Sequence, residues 1–150
     1  MNKTKKFTNY TDVEWDALKK RLLNSCFKYY NANPQKHKTG DCVVRAICAA
    51  MDMEWDNVLT DLYKYSLKHK YFMGSEELYE IYLKDLGFTK HKPPRKTNGK
   101  SYTLGEWLKD FDKAAIVTIN DDHLTYVNDN HVYDIWDCTD EVVNEYWTFE

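Results

Sequence analysis

Several features are missing from this chain, and each absence excludes a class of protein. Its four cysteines, Cys26, Cys42, Cys48 and Cys138, form no C-x-x-C pair. They therefore lack the tight spacing of structural zinc sites and read as free thiols in a reducing compartment. No stretch approaches the ~18 apolar residues that span a bilayer. The start, "MNKTKKFTNY", has basic residues but no apolar core of a signal peptide. Charge of one sign is also missing: 21 Lys and Arg against 24 Asp and Glu leave −3. That balance predicts neither nucleic-acid binding nor membrane attachment. No repeat or low-complexity tract is present, and "TGDC" and "TNGK" do not meet the phosphate-loop pattern. The expectation is a cytoplasmic protein without cofactor or metal.

What is present fits one globular domain over residues 1–150. A chain of 150 residues buries enough surface to fold without a disulfide or metal. Twelve Tyr and five Trp argue against disorder.

The spacing of apolar residues predicts helices first and strands last. "TDVE" at Thr11 to Glu14 reads as a capping box opening a helix from about Asp12 to about Cys26. Tyr29 to Gly40 has no apolar period and reads as loop. A second helix is expected from Cys42, with Val43, Val44, Ile47 and Met51 inward. Asp52 then leads into a third helix carrying Trp55, Val58, Leu59 and Leu62. Ser75 caps a fourth, with Leu78, Ile81, Tyr82 and Leu86 inside and Gly87 just past its end. "TLGE" at Thr103 to Glu106 opens a short fifth helix. Four later segments are rich in branched and aromatic residues and read as strands: 114–120, 123–127, 131–136 and 145–149. This order predicts an α+β domain with a mostly antiparallel sheet.

One stretch, "KTGDCVVRAICAAM", carries a possible chemistry. With Asp41 as N-cap, Cys42 stands at the first helical position, where free amides and the helix dipole favour a thiolate. Asp41 opposes this, because a neighbouring anion disfavours a second one. The alternative is a structural thiol in a buried helix. A base has to come from elsewhere. His37, His69 and His91 lie in loops or beside lysines and read as solvated, whereas His123 opens a strand.

The hairpin after His123 supplies an orienting group. A two-residue turn at Asp129-Asn130 pairs Val127 with Val132 and Thr125 with Asp134. His123 and Asp134 then share a face as diagonal neighbours. A three-residue loop would bring Asp137 there instead. Nucleophile, base and orienting carboxylate together make a triad. Zinc drawn from His37, Cys42, Cys48, His123, His131 and Cys138 is the less favoured reading.

A cysteine at a helix start, a distant His opening a strand, and an acid followed by x-Trp ("DIW", Asp134 to Trp136) resemble the papain-like cysteine peptidases. The Asp-Cys pair and short chain are similar to the bacteriocin-leader-processing (double-glycine) branch. "NANP", "TGDCVVRA", "HLTYV" and "YDIWDC" also resemble small papain-like proteins of Firmicutes and their phages. The resemblance implies a papain-like fold, with N-terminal helices packed on the sheet. It implies Cys42 as nucleophile, His123 as base and acid, Asp134 as orienter, and Trp136 shielding the His–Asp bond. The third residue of that family is often Asn, so an amide at position 134 is expected to lower the rate less severely than loss of Cys42. A Gln six residues before the cysteine commonly completes the oxyanion hole. Here that position is Lys36, so Gln35 is the candidate and Asn33 the reserve.

The expected function is hydrolysis of an amide bond in a peptide or protein, with oligomeric state open. The alternative is a catalytically inactive papain-like scaffold that binds a protein. "KHKPPRKTNGK" (Lys90 to Lys100) reads as a solvated basic loop. From Ala114 to Glu150 there are nine acidic residues and no Lys or Arg, which favours basic substrates.

Overall fold

In the computed structural model, which describes residues 11–15 and 25–149, the sheet order follows from where the chain can turn. Six strands run in the order β1-β5-β4-β3-β6-β2. They are β1 (Phe27–Tyr29), β2 (Phe88–His91), β3 (Ala115–Ile119), β4 (His123–Asn128), β5 (His131–Asp134) and β6 (Val143–Phe149). Among the described residues, only β1 and β5 pair in parallel; the other pairs are antiparallel. The domain is thus α+β with a mostly antiparallel sheet. Two short strands run against the sequence reading: β1 begins two residues before the expected loop, and Lys90 and His91 of the basic segment belong to β2.

The helices are α1 (Cys42–Met51), α2 (Trp55–His69), α3 (Glu76–Leu86) and α4 (Leu104–Leu108). Helical residues 12–15 precede them, closed by the expected box: Thr11 N donates to Glu14 Oε2 at 2.8 Å, and Glu14 N to Thr11 Oγ1 at 3.2 Å. The remainder of that expected helix falls largely outside the described residues, and Cys26 is not helical.

Local chemistry explains the helix ends. Ser75 Oγ accepts from Leu78 N, and Thr103 with Glu106 forms a complete capping box. Gly87 ends α3 at φ 103°, a left-handed conformation that favours glycine. Asp52 ends α1 in the same region, at φ 51°, so α2 starts at Trp55 rather than directly after Asp52.

The sheet is covered on both faces. Val44, Ile47, Val58, Leu78 and Leu83 of α1 to α3 pack on Ile116, Leu124 and Trp147. Leu104, Trp107 and Leu108 of α4 pack on Val117, Ile119, Val127 and Val132. Alternate residues of β3 therefore serve different cores, and all five are buried. Their removal from water, at ~25 cal/mol per Å² of apolar surface, is the main force holding α1 against the sheet.

Two turns aim the functional strand. Asp129 (φ 50°) and Asn130 (φ 63°) form the tight turn between β4 and β5, opposing Val127 to Val132. Asn130 Nδ2 fastens it by donating to Leu108 O (2.7 Å) and Phe111 O (3.1 Å). Asn120 (φ 53°) and Asp121 (φ 62°) turn β3 into β4, with Asn120 N bonded to Val142 O and Asp121 N to Asn144 Oδ1. That anchorage on β6 fixes where His123 starts.

Candidate active site

Cys42 is the first residue of α1 and follows Asp41, whose side chain makes no cap hydrogen bond. The Asp41 carboxylate is turned elsewhere: Oδ1 accepts from Arg45 and Oδ2 from Trp55 Nε1 at 2.8 Å. The first intrahelical bond is Arg45 N to Asp41 O, at 2.9 Å. The amides of Cys42, Val43 and Val44 precede that bond and receive no side-chain cap from Asp41.

Cys42 and His123 line the same cleft, of about 630 Å³, with His123 near enough to the thiol to lower its pKa. His123 Nε2 lies 2.6 Å from Asp134 Oδ2, which leaves Nδ1 outside that bond. Asp134 is buried, and its other oxygen accepts from Ile135 N at 2.7 Å and meets Arg45 at 3.4 Å. The bond to Ile135 N also explains why β5 stops here, short of the expected Trp136. Asp137 is exposed and bonds Thr139 instead, as the two-residue turn requires. The Trp136 ring sits 5.2 Å from the His123 ring, tilted by 54°, and remains partly exposed.

The electrostatics favour a charged pair. Burial works against the His123 cation, but hydrogen bonds to Asp134, Cys138 and Cys42 raise its pKa to about 11. Burial pushes the Cys42 thiol up; the His123 hydrogen bond, the Leu124 amide and the charges of His123 and Arg45 outweigh it and hold it below the ordinary thiol value. Asp134 is likewise held below the usual carboxylate range: burial is overcome by His123, Thr125 and the Ile135 amide. Burial raises the other three thiols, Cys48 to about 11. Cys42 is the thiol with a lowered pKa among the four.

Gln35 is exposed, does not line the cleft, and its Oε1 lies 3.1 Å from His37 Nε2. Asn33 is buried, and its Oδ1 accepts from Gln35 N at 3.0 Å. Lys36 takes φ 59° and donates from Nζ to Asn31 O. Sequence reasoning overlooked Arg45, which touches both Asp41 and Asp134. A single charged residue inside the run "CVVRAICAAM" was the available signal. Cys138, which the sequence suggests as a small buried hydrophobe, is buried, and its thiol lies 3.9 Å from Asp134 Oδ2.

Among the described residues, His123, Asp134 and Cys138 form one group whose donor atoms lie within 4.8 Å of one another. The Arg45 cation beside Asp134 disfavours a metal ion there. No described helix is long and apolar enough to cross a membrane. Comparison with family models, curated proteins and solved structures found no match to this chain.

Proposed function

We propose that this chain is a papain-like thiol hydrolase that cleaves an amide bond in a peptide or protein. The observation that carries the reading is that Cys42 and His123 line one cleft while His123 Nε2 is held 2.6 Å from the buried Asp134 Oδ2. The thiolate of Cys42 attacks the carbonyl carbon and forms a C–S bond. The developing oxyanion is received by the free amides at the start of α1. His123 gives its proton to the leaving amine as the C–N bond breaks. Water, activated by the now neutral His123, hydrolyses the thioester and restores the pair.

The cleft indicates the kind of substrate. Leu59, Leu62, Tyr63 and Met73 form an apolar wall, while Glu76, Asp121 and Asp122 add carboxylates; no Lys or Arg among the described residues lines it. A segment with apolar and basic side chains suits that surface.

The placement of Gln35 favours a second reading, a scaffold that binds protein without turnover. Proteome-wide detection of new peptide termini separates the two. The hydrolase reading expects new termini with the wild-type protein and none with Cys42→Ala. No new termini with the wild type, together with a cellular effect retained by Cys42→Ala, would establish the scaffold.

A further inference from the structure

Arg45 is a buried cation with an unusual pair of neighbours. It is 5% exposed and lies one helical turn after Asp41. Its Nη1 donates to Asp41 Oδ1 and to Thr39 O (3.2 Å), and its Nη2 lies 3.4 Å from Asp134 Oδ1. A guanidinium is rarely this buried unless paired, and here both partners belong to the site's framework. Asp41 immediately precedes Cys42, and Asp134 holds His123.

We infer that Arg45 is a positioning residue: it cancels the Asp41 charge beside Cys42 and fixes Asp134 through the oxygen that His123 does not use. The inference rests on reading Cys42, His123 and Asp134 as one site. It resolves a conflict within the Gly-Asp-Cys sequence. Asp41 alone is an anion next to a residue that needs to become an anion. Paired with Arg45 and bonded to Trp55, it is a neutralised strut instead of a cap. The helix amides it would have capped stay open. At the other end, Asp134 cannot rotate freely, because Oδ1 is tied to Ile135 N and Arg45 while Oδ2 is tied to His123. The result is an alternating row of charges, Asp41, Arg45, Asp134, His123 and Cys42, in which each buried charge has an opposite neighbour.

The charged and titratable groups around Cys42 are Arg45 and Asp41 beside it, His123 on β4, Tyr79 on α3, and Glu76, Asp121 and Asp122 along the cleft. Cys138 and Asp134 face His123 from its other side. Of these, only Arg45 connects Asp41 to Asp134, so its removal has a signature of its own.

The test uses the full chain and measures site-resolved iodoacetamide labelling of Cys42 against pH, with the His123 Nε2–H proton resonance as a second readout. Arg45→Met should slow labelling of Cys42 at pH 6 by about tenfold, as an unneutralised anion beside a thiol does. Adding Asp41→Asn to Arg45→Met should recover most of that rate while leaving the His123 resonance displaced, because Asp134 stays untethered. Arg45→Lys keeps the charge but loses the fork. It should label at close to the wild-type rate yet displace the His123 resonance, and it tests the inference even if Arg45→Met does not fold. A wild-type pH profile and resonance in Arg45→Met would overturn the inference. So would a slowed rate that Asp41→Asn does not relieve, or an unshifted resonance in Arg45→Lys. Labelling needs no turnover, so absence of new peptide termini would defeat the hydrolase reading without touching this result.

Discussion

Replacing Asp134 by Asn exchanges a carboxylate for an amide of nearly the same shape, and the donors around it determine the outcome. Oδ1 receives Ile135 N–H and faces Arg45; Oδ2 receives His123. An amide has one accepting oxygen and one donating NH₂. With the oxygen toward His123, the NH₂ opposes two buried donors, at about 1–3 kcal/mol each. With the oxygen toward Ile135 and Arg45, the NH₂ meets His123, which must then present a bare Nε2. That second arrangement is cheaper, and it fixes the wrong tautomer. A nucleophile–base–orienter triad loses roughly 10⁴ in rate that way. Either arrangement leaves Arg45 and His123 without their shared anion, a loss of about 3–5 kcal/mol, or roughly 6–20 °C in Tm for a chain of this length. The loss in rate is larger than the milder fall that the resemblance leads one to expect for an amide at position 134. Thermal melts and site-resolved alkylation at pH 6 should show Asp134→Asn destabilised, with Cys42 no more reactive than the other thiols. Wild-type Tm and wild-type Cys42 selectivity in that variant would refute the donor count.

Asn130→Ala should lower stability by about 2–3 kcal/mol in urea unfolding, because it removes two bonds to backbone carbonyls and puts alanine at φ 63°. A change under about 0.5 kcal/mol would contradict the role given to this turn. Trp136→Ala removes the ring beside the His123 cation, worth about 0.5–1 kcal/mol. The pKa of His123, followed by NMR, should fall by roughly half a unit, and an unchanged value would contradict that contact.

The parts of this fold legible in sequence are those set by neighbours a few residues apart. Strand alternation and two turn residues tolerant of positive φ are enough to place His123 on the same face as Asp134, and Asp129 and Asn130 do take that conformation. Ser75, Gly87 and the Thr103–Glu106 box mark helix ends by the same local rules. What escaped depends on distant partners. β1 has three residues and exists because it pairs with β5, about a hundred positions away. Asp41 reads as a cap from its place in the sequence, but Trp55 and Arg45 take its carboxylate. Arg45 interrupts an apolar run, and its meaning appears only once Asp134 is brought beside it. Gln35 is suggested by sequence offset alone, and its side chain turns to His37 instead.

Charge sharing between Cys42 and His123 is the centre of this site, and the pH dependence of Cys42 alkylation measures it directly. His123 has its folded-state pKa raised to about 11 from an ordinary 6.5, so its cation, and the stability it contributes, is fully present below about 6.5 and lost as pH rises through about 11. The Cys42 pKa is depressed, so the thiolate persists below the ordinary thiol value and is lost as pH falls through its lowered one. The wild-type protein should therefore keep labelling at Cys42 to lower pH than His123→Ala, which should show an ordinary thiol titration with its rise above about pH 8. Superimposable profiles for the two proteins would contradict the existence of the pair.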